Sequence, residues 1–206
     1  MQKTNYQLMT DRAIERLCAE NARPQLLLHC CCAPCSSYVL YYLTKYFNIT
    51  LFFSNPNITD RDEYEKRLRE VYKFCKNAPF CKDVTVVEDK CPDGLFFEYV
   101  KGFENQPEGG SRCEKCFKLR LSRTADYARQ NGFSLFATTL TVSPHKNADL
   151  INKIGFSEAE RCGIEYLPSD FKKREGYKQS IVLSKEYNIY RQIFCGCEFS
   201  RSNSNA

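Results

Sequence analysis

Apolar and polar residues follow two different patterns along the chain. Short apolar runs bounded by polar residues or Gly predict β-strands at residues 25–29, 49–54, 84–87, 133–139 and 164–167. Apolar residues that recur every three or four positions predict helices at residues 36–46, 64–75, 112–130, 147–161 and 177–187. Strands that alternate with helices require crossover connections, so the pattern predicts an α/β fold with a doubly wound, mainly parallel sheet.

The continuity of this pattern predicts the domain organisation. Neither an internal repeat nor a linker interrupts residues 1–197, which we interpret as a single domain. Residues 198–206 are polar and rich in Ser and Asn, which predicts a disordered C-terminal tail. The sequence shows neither a signal peptide nor a membrane span, so we expect a cytoplasmic location and no membrane partner.

Cysteine is the unusual component of the composition. The 206 residues include 13 Cys, while 43% are hydrophobic and 27% charged, which excludes a disordered or collagen-like chain. In a reducing compartment, clustered thiols serve metal or redox chemistry rather than a disulfide framework. The formal net charge of +5 is compatible with an anionic partner such as RNA but does not identify one.

Residues able to bind ligands concentrate in the turns after three of the predicted strands. The first turn reads HCCCAPC, the second contains Asn55 and Asn57, and the third contains Ser143, His145 and Lys146. Ligands of doubly wound sheets bind outside the carboxyl ends of the strands. We therefore predict the functional site there, with these five residues as candidate substrate-binding side chains and His145 as a candidate for proton transfer or phosphate contact.

Cys113 and Cys116 form a CxxC pair. Ser111, followed by Glu114 at the third position, predicts a capping box, so a helix is expected to begin at Arg112 with both thiols on one face of its first turns. The helix N-terminus is expected to lower the pKa of both thiols. Taken alone, the pair leaves zinc, iron–sulfur and dithiol redox chemistry open.

Cys31 and Cys32 are adjacent, which favours one of these chemistries. Structural zinc ligands are usually separated by two or more residues, whereas neighbouring cysteines can reach different irons of one cluster. With Cys113 and Cys116 they would supply the four thiolates of a [4Fe–4S] cluster. Zinc, and thiols that are unligated or disulfide-bonded, are the alternatives. Cys35 is near enough to join the site and to hold an additional metal.

Cys195 and Cys197 are separated by a single glycine. A disulfide between them would close a small, strained ring that is easily reduced, which favours an electron-exchange pair, with two unrelated surface thiols as the alternative. His29 and Cys30 end an apolar run and are expected to be buried core residues. The remaining cysteines are expected to be mostly single thiols in the core or on the surface: Cys18, Cys75, Cys81, Cys91 and Cys162.

Positive charge and tyrosines occur together at two places in the chain. Residues 61–76 are rich in Lys and Arg, and Lys172, Lys173 and Arg174 form a short basic run. Such segments are typical of solvated surfaces, but with neighbouring tyrosines they would also suit single-stranded RNA. Both interpretations stay open from the sequence.

These motifs together resemble the cobalamin-independent epoxyqueuosine reductase family. The similarity covers nearly the whole chain, through LLLHCCCAPCSSYVL, FFSNPNI, SRCEKCFKLRL, ATTLTVSPHKN and IYRQIFCGC. It implies a fold like that of the adenine-nucleotide α-hydrolase group and the removal of the epoxide oxygen from epoxyqueuosine, at the wobble nucleoside of tRNA, to give queuosine. The expected partners are a tRNA with a queuosine-type anticodon and an electron donor that the sequence does not identify.

The resemblance also implies roles for individual cysteines. It implies a redox-active disulfide between Cys195 and Cys197, and an extra iron beside the cluster for which Cys35 would be a ligand. The [4Fe–4S] ligands that it implies are Cys31, Cys32, Cys113 and Cys116.

Two other functions are weighed against this one. An ATP-dependent tRNA-thiolating enzyme of the pyrophosphate-loop group would carry a glycine-containing phosphate loop after the first strand, but the HCCCAPCSS turn contains no Gly. A zinc-stabilised RNA-binding module without catalysis would bind metal without the visible absorption of an iron–sulfur cluster.

Overall fold

A five-stranded, all-parallel sheet forms the centre of the protein, with strand order β3-β2-β1-β4-β5. The computed structural model describes residues 4–201. The strands are β1 (Gln25–Cys30), β2 (Asn48–Phe53), β3 (Thr85–Glu88), β4 (Leu135–Thr138) and β5 (Glu165–Tyr166). Each predicted strand is found, with ends within two residues or so of the predicted ones.

Helices follow or precede each strand. They are α1 (Tyr6–Ala19), α2 (Ala33–Leu43), α3 (Arg61–Asn77), α4 (Leu95–Val100), α5 (Ser111–Gln130), α6 (Ala148–Cys162), α7 (Gly176–Glu186) and α8 (Glu198–Arg201). Two short 3₁₀ helices occur at Pro79–Cys81 and Thr139–Val142. Within residues 4–201, none of these helices has the length and hydropathy that a membrane crossing requires.

The two faces of the sheet bury different side chains, as alternation along a strand requires. On one face, Leu26 and Leu28 of β1 pack with Leu40 of α2 and Phe74 of α3. On the other face, Leu27 of β1 belongs to a second apolar cluster that α5 and α6 complete. Helices on both faces of a parallel sheet confirm the predicted doubly wound α/β fold.

The N-terminal helix α1 is not predicted by the apolar pattern. Its buried face is largely polar, because Gln7, Thr10 and Asp11 all point inward. Tertiary contacts satisfy them: the Thr10 hydroxyl donates to the carbonyl of Pro168 (2.6 Å), and Asp11 pairs with Arg174 (2.6 Å). A polar face that is buried by distant residues leaves no amphipathic signal in the sequence.

The predicted disordered tail begins with a short helix. Phe199 of α8 packs near the ring of Phe96 in α4, and the guanidinium of Arg112 lies 4.5 Å from the Phe199 ring centroid. These contacts dock residues 198–201 onto the domain. Residues 202–206 lie outside the described part of the chain, so the prediction for them stays a prediction.

Candidate functional site

Three cysteine thiols meet where β1 ends and α2 begins. Cys31 and Cys32 directly follow β1, and Cys35 lies in the first turn of α2, which starts three residues earlier than predicted because Pro34 is compatible with a first helical turn. The Sγ atoms of Cys31 and Cys32 are 3.7 Å apart, and all three Sγ atoms lie within 4.8 Å of one another. The structure therefore places Cys35 with the adjacent pair in one candidate metal site, the cysteine trio.

One thiol of the cysteine trio is strongly acidic. Hydrogen bonds from the thiols of Cys32 and Cys35 lower the pKa of Cys31 well below its usual range, and the cations Lys146 and Arg120 act in the same direction. The same contacts raise the pKa of Cys32 to about 11 and also raise that of Cys35. Within the trio, the surroundings therefore favour the negative charge on Cys31 over the other two thiols.

The CxxC pair lies at the start of α5, but two predictions about it are wrong. The helix begins at Ser111 with Gly110 as its N-cap, and no side chain caps it, so the predicted capping box is absent from this helix start. Burial raises the pKa of Cys113, and it raises that of Cys116 to about 12. Burial disfavours the charged thiolate, so the pKa of each thiol shifts in the direction opposite to the predicted one.

Packing places the CxxC pair beside the other cysteine groups. Cys113 packs against the apolar cluster that contains Cys31 and Cys32. Cys116 belongs to a neighbouring cluster together with Cys197. Residues from both ends of the chain therefore converge on the start of α5.

Cys195 and Cys197 lie in an irregular segment between α7 and α8. Both are free thiols, as are all 13 cysteines, each of which lies within the described residues. Gly196 between them has a φ of 118°, and a Cβ atom there would lie 2.9 Å from Cγ1 of Ile58. This turn therefore requires glycine. A disulfide between the two thiols stays a prediction.

Side chains of α3 hold the segment that carries Cys195. Arg67 donates to the carbonyls of Phe194 (3.2 Å) and Cys195 (3.0 Å), while its Nε pairs with Glu63 at 2.6 Å. The ammonium of Lys66 lies 3.5 Å from the ring centroid of Tyr190. Part of the basic character of α3 thus serves contacts inside the protein rather than a free surface.

A cavity of about 550 Å³ joins the cysteine trio to Cys195. Its wall also includes Arg120, Lys146 and Arg191. A second cavity of about 100 Å³ is lined by the thiols of the CxxC and CGC motifs. Both cavities are lined by His145, Lys146 and Cys195. These residues therefore lie between the cysteine trio and the CxxC pair.

Lys146 is held in its charged form. Burial acts to lower the pKa of Lys146, but electrostatic interactions with the sulfurs of Cys195, Cys31 and Cys35 outweigh burial and raise it. The ammonium therefore interacts electrostatically with the cysteine sulfurs and can supply a proton in the cavity.

The predicted substrate-binding residues divide into two groups. Ser143, His145 and Lys146 line the larger cavity, and Asn57 lines the smaller one. Asn57 is 1% exposed, and its Oδ1 has no hydrogen-bond partner within the described residues, so it is available to accept one. The substrate contacts themselves stay predictions.

Asn55 is engaged inside the protein. Its Nδ2 donates to the carbonyl of Cys30 (2.9 Å), and its Oδ1 accepts from Nη2 of Arg120 (2.6 Å). It lines neither of the two cysteine cavities. In the structure Asn55 joins the end of β1 to α5.

Sequence reasoning missed Arg120. Its guanidinium is buried within the domain and contributes to the wall of the larger cavity. The available signal was its position four residues after Cys116, which places both side chains on one face of α5.

His29 and Cys30 are core residues, as predicted. The ring nitrogens of His29 are 2.8 Å from Oγ1 of Thr138 and 3.1 Å from the carbonyl oxygen of Ser54. Burial, reinforced by the charge of Arg120, lowers the pKa of His29 to about 3, so the ring is neutral. Cys30 is fully buried on the opposite face from the cysteine trio.

The remaining cysteines lie away from the site. Cys18 is exposed, Cys91 is half-buried, and Cys162 is buried between α6 and α5. Cys75 and Cys81 are free thiols buried in the core, as predicted.

Comparison with known proteins identifies the relatives of this chain. The family model described as "Epoxyqueuosine reductase QueH" matches residues 26–203. A protein of that name from Streptococcus pyogenes serotype M1 is 42% identical over 201 residues, which cover 97% of this chain and 79% of the relative. Namesakes from Staphylococcus epidermidis and Thermotoga maritima are 40% and 38% identical, over 97% and 85% of this chain and over 85% and 89% of the relatives.

Proposed function

The chain belongs to the epoxyqueuosine reductase QueH family, and we propose that it reduces epoxyqueuosine to queuosine in tRNA with electrons from a cysteine-bound [4Fe–4S] cluster. The observation that carries this proposal is the convergence of the cysteine trio, the CxxC pair and Cys195 around cavities that also contain Lys146. A reductive site needs an electron carrier and a proton source in one place. These thiols can bind the carrier, and Lys146 can supply the proton.

The residues present fit such a cluster. The donor set consists of thiols, most of them buried, and thiolate is the usual ligand of iron–sulfur clusters. Arg120 and Lys146 offset the negative charge that several thiolates bring into one place. When bound, the cluster supplies single electrons and an iron that acts as a Lewis acid. The residues that we assign as its ligands are Cys31, Cys32, Cys113 and Cys116.

Cys35 is the residue that we assign to an additional iron. Its Sγ lies within 4.8 Å of those of Cys31 and Cys32, so it can bind a metal beside them. It is half-buried and lines the larger cavity, which puts it on the side that a substrate would enter.

Lys146 is the proton donor in this proposal. Conversion of an epoxide to an alkene consumes two electrons and two protons and releases the oxygen as water. The Lys146 ammonium lines both cavities and can deliver a proton from Nζ to the departing oxygen. His145 lies beside it and is exposed, so its ring can return protons from solvent to the site.

Cys195 and Cys197 provide a store of reducing equivalents. Closure of their two thiols to a disulfide releases two electrons and two protons, which equals what one epoxide consumes. An external donor would then reduce the disulfide again. Cys195 lines both cavities, which places one of these thiols beside Lys146 and the cysteine trio.

The substrate is a tRNA with a queuosine-type anticodon, whose wobble nucleoside must enter the larger cavity. Ser143 on its wall is one polar group that we assign to its recognition. The other is Oδ1 of Asn57 in the adjoining smaller cavity, which has no hydrogen-bond partner within residues 4–201. The thiolation alternative is not favoured, since Cys31, Cys32 and Ala33 occupy the turn where a glycine-rich phosphate loop would lie.

Anaerobic turnover tests this function. Reconstituted protein is mixed with epoxyqueuosine-containing tRNA and a chemical reductant, and the nucleosides are then analysed by mass spectrometry. We expect queuosine from the wild-type protein and from Cys18→Ala, which removes an exposed thiol, but none from Cys113→Ala. Full turnover by Cys113→Ala would refute the ligand role, and a wild-type protein with bound iron and sulfide but no turnover would refute the activity.

A further inference from the structure

Arg120 is a cation buried among thiols. Its side chain is 2% exposed, and it lies one turn after Cys116 on α5. It also lines the larger cavity, together with Cys31, Cys32 and Cys35. The guanidinium therefore lies between the cysteine trio and the CxxC pair.

A buried guanidinium is costly unless a negative charge compensates it, because its desolvation amounts to several kcal/mol. Arg67, the other arginine buried to this extent, pairs with Glu63 at 2.6 Å. Across residues 4–201, no carboxylate forms such an ion pair with Arg120.

Neutral oxygens fix the position of Arg120 without cancelling its charge. Nη2 donates to Oδ1 of Asn55 (2.6 Å), and Nε donates to the carbonyl of Ser54 (3.4 Å). Asn55 is itself fixed by its bond to the carbonyl of Cys30. The cation is thus tied to the ends of β1 and β2, next to the cysteine trio.

Thiolates are the remaining source of compensating charge. Cys31 and Cys195 line the same cavity as Arg120, and Cys116 lies one turn before it on α5. These cysteines come from three separate parts of the chain. One guanidinium therefore lies near the cysteine trio, the CxxC pair and the segment that carries Cys195.

We propose that Arg120 is a positioning residue that supplies the counter-charge of the cysteine-bound cluster and raises its reduction potential. Each electron added to a thiolate-bound cluster increases its negative charge, and a fixed buried cation stabilises the more negative state more strongly. This inference rests on the proposed function, because it requires a cluster at these cysteines.

The test is a redox titration of the reconstituted protein, followed by the electron paramagnetic resonance of the reduced cluster. Arg120→Gln removes the charge but keeps a donor for Asn55, and Arg120→Lys keeps the charge. Lys118→Gln removes the same charge from the exposed side of the same helix. For Arg120→Gln we expect the ratio of reduced to oxidised cluster at a given potential to fall at least tenfold, about 59 mV for one electron. The ratio should fall less in Arg120→Lys, and in Lys118→Gln it should equal the wild-type ratio.

Each outcome decides the proposal. A wild-type potential in Arg120→Gln overturns it, and so does a shift of equal size in Lys118→Gln. If Arg120→Gln binds no cluster but Arg120→Lys does, the cluster requires the counter-charge. If neither variant binds a cluster although circular dichroism shows a preserved fold, Arg120 has a purely structural role and the proposal is overturned. A wild-type protein that binds no cluster at all would instead refute the proposed cofactor.

Discussion

Nε2 of Gln192 donates a hydrogen bond to Sγ of Cys32 at 2.9 Å, across 160 residues of sequence. This bond joins the segment that carries Cys195 to the turn that carries the cysteine trio. It leaves Oε1 of Gln192 buried and without a partner within the described residues. The two thiol-bearing segments are therefore held together by a side chain that is not itself a candidate ligand.

Gln192→Ala should loosen this connection. We expect stability to fall by about 1 kcal/mol, the usual value of one hydrogen bond, and amide exchange in residues 192–197 to accelerate. Hydrogen exchange followed by mass spectrometry measures both. Ile193→Ala is the matched control, because the neighbouring Ile193 side chain is 87% exposed. Equal exchange in the two variants would show that the bond to Cys32 does not hold the segment.

Gly196→Ala should destabilise the protein more than an ordinary glycine substitution. The added Cβ would lie 2.9 Å from Ile58 and 3.0 Å from Arg67, in addition to the strain of a φ of 118°. Gly102→Ala is the control, since Gly102 has a φ of 83° but nothing within 4 Å of the added atom. We expect about 1 kcal/mol for Gly102→Ala and clearly more for Gly196→Ala in urea unfolding. Equal losses would mean that Ile58 and Arg67 move aside freely.

The ion pair between Arg67 and Glu63 should contribute far more to stability than its exposed neighbour. Glu63→Ala leaves the Arg67 charge buried, so we expect a loss of about 3–5 kcal/mol and disorder of the segment bonded to Arg67. Arg69→Ala removes an exposed pair with Glu65 and should cost at most about 1 kcal/mol. Urea unfolding measures the loss of unfolding free energy in both variants. A loss below about 1 kcal/mol in Glu63→Ala would show that the Arg67–Glu63 pair matters no more than an exposed pair.

Alkaline pH should destabilise the fold partly through Tyr42. Burial, reinforced by Asp11, raises the pKa of Tyr42 above its usual value, and its hydroxyl donates to Oδ1 of Asp11 at 3.2 Å. A raised folded pKa favours the folded state below the unfolded pKa of about 10, and this contribution disappears as the pH rises through the folded pKa. Between about pH 9 and pH 11, which brackets the unfolded tyrosine pKa, the unfolding free energy of Tyr42→Phe should therefore decrease less than that of the wild-type protein.

Urea unfolding across this pH range provides the measurement for Tyr42. Tyr41→Phe controls for the loss of a tyrosine hydroxyl from the same helix, because Tyr41 is exposed. A Tyr42→Phe curve parallel to the wild-type curve would show that this hydroxyl does not titrate with unfolding.

The parallel sheet could be predicted from the sequence because its strands are short and its central strands are apolar and mostly buried on both faces. Leu26, Leu27 and Leu28 are all fully buried, so β1 appears as an uninterrupted apolar run. Helix α1 could not be found in this way, since Thr10 and Asp11 on its buried face are satisfied by residues far along the chain.

The candidate site was only partly predictable for a similar reason. Cys31, Cys32 and Cys35 are close in sequence and necessarily close in space. The pKa of Cys31, in contrast, is lowered not only by its neighbours Cys32 and Cys35 but also by Lys146 and Arg120, which come from other elements. Burial of Cys116 reverses the pKa direction that its place at a helix start indicates, and burial is a property of the whole fold.

The contact between Gln192 and Cys32 has a consequence for biosynthesis. A chain emerging from the ribosome exposes Cys31 and Cys32 with most of the sheet still to be made, about 160 residues before the wall formed by residues 191–195. Until residues 191–195 are made, the thiols of Cys31 and Cys32 are exposed to the surrounding solution. A ribosome stalled before residue 190 should therefore present these cysteines open to alkylation.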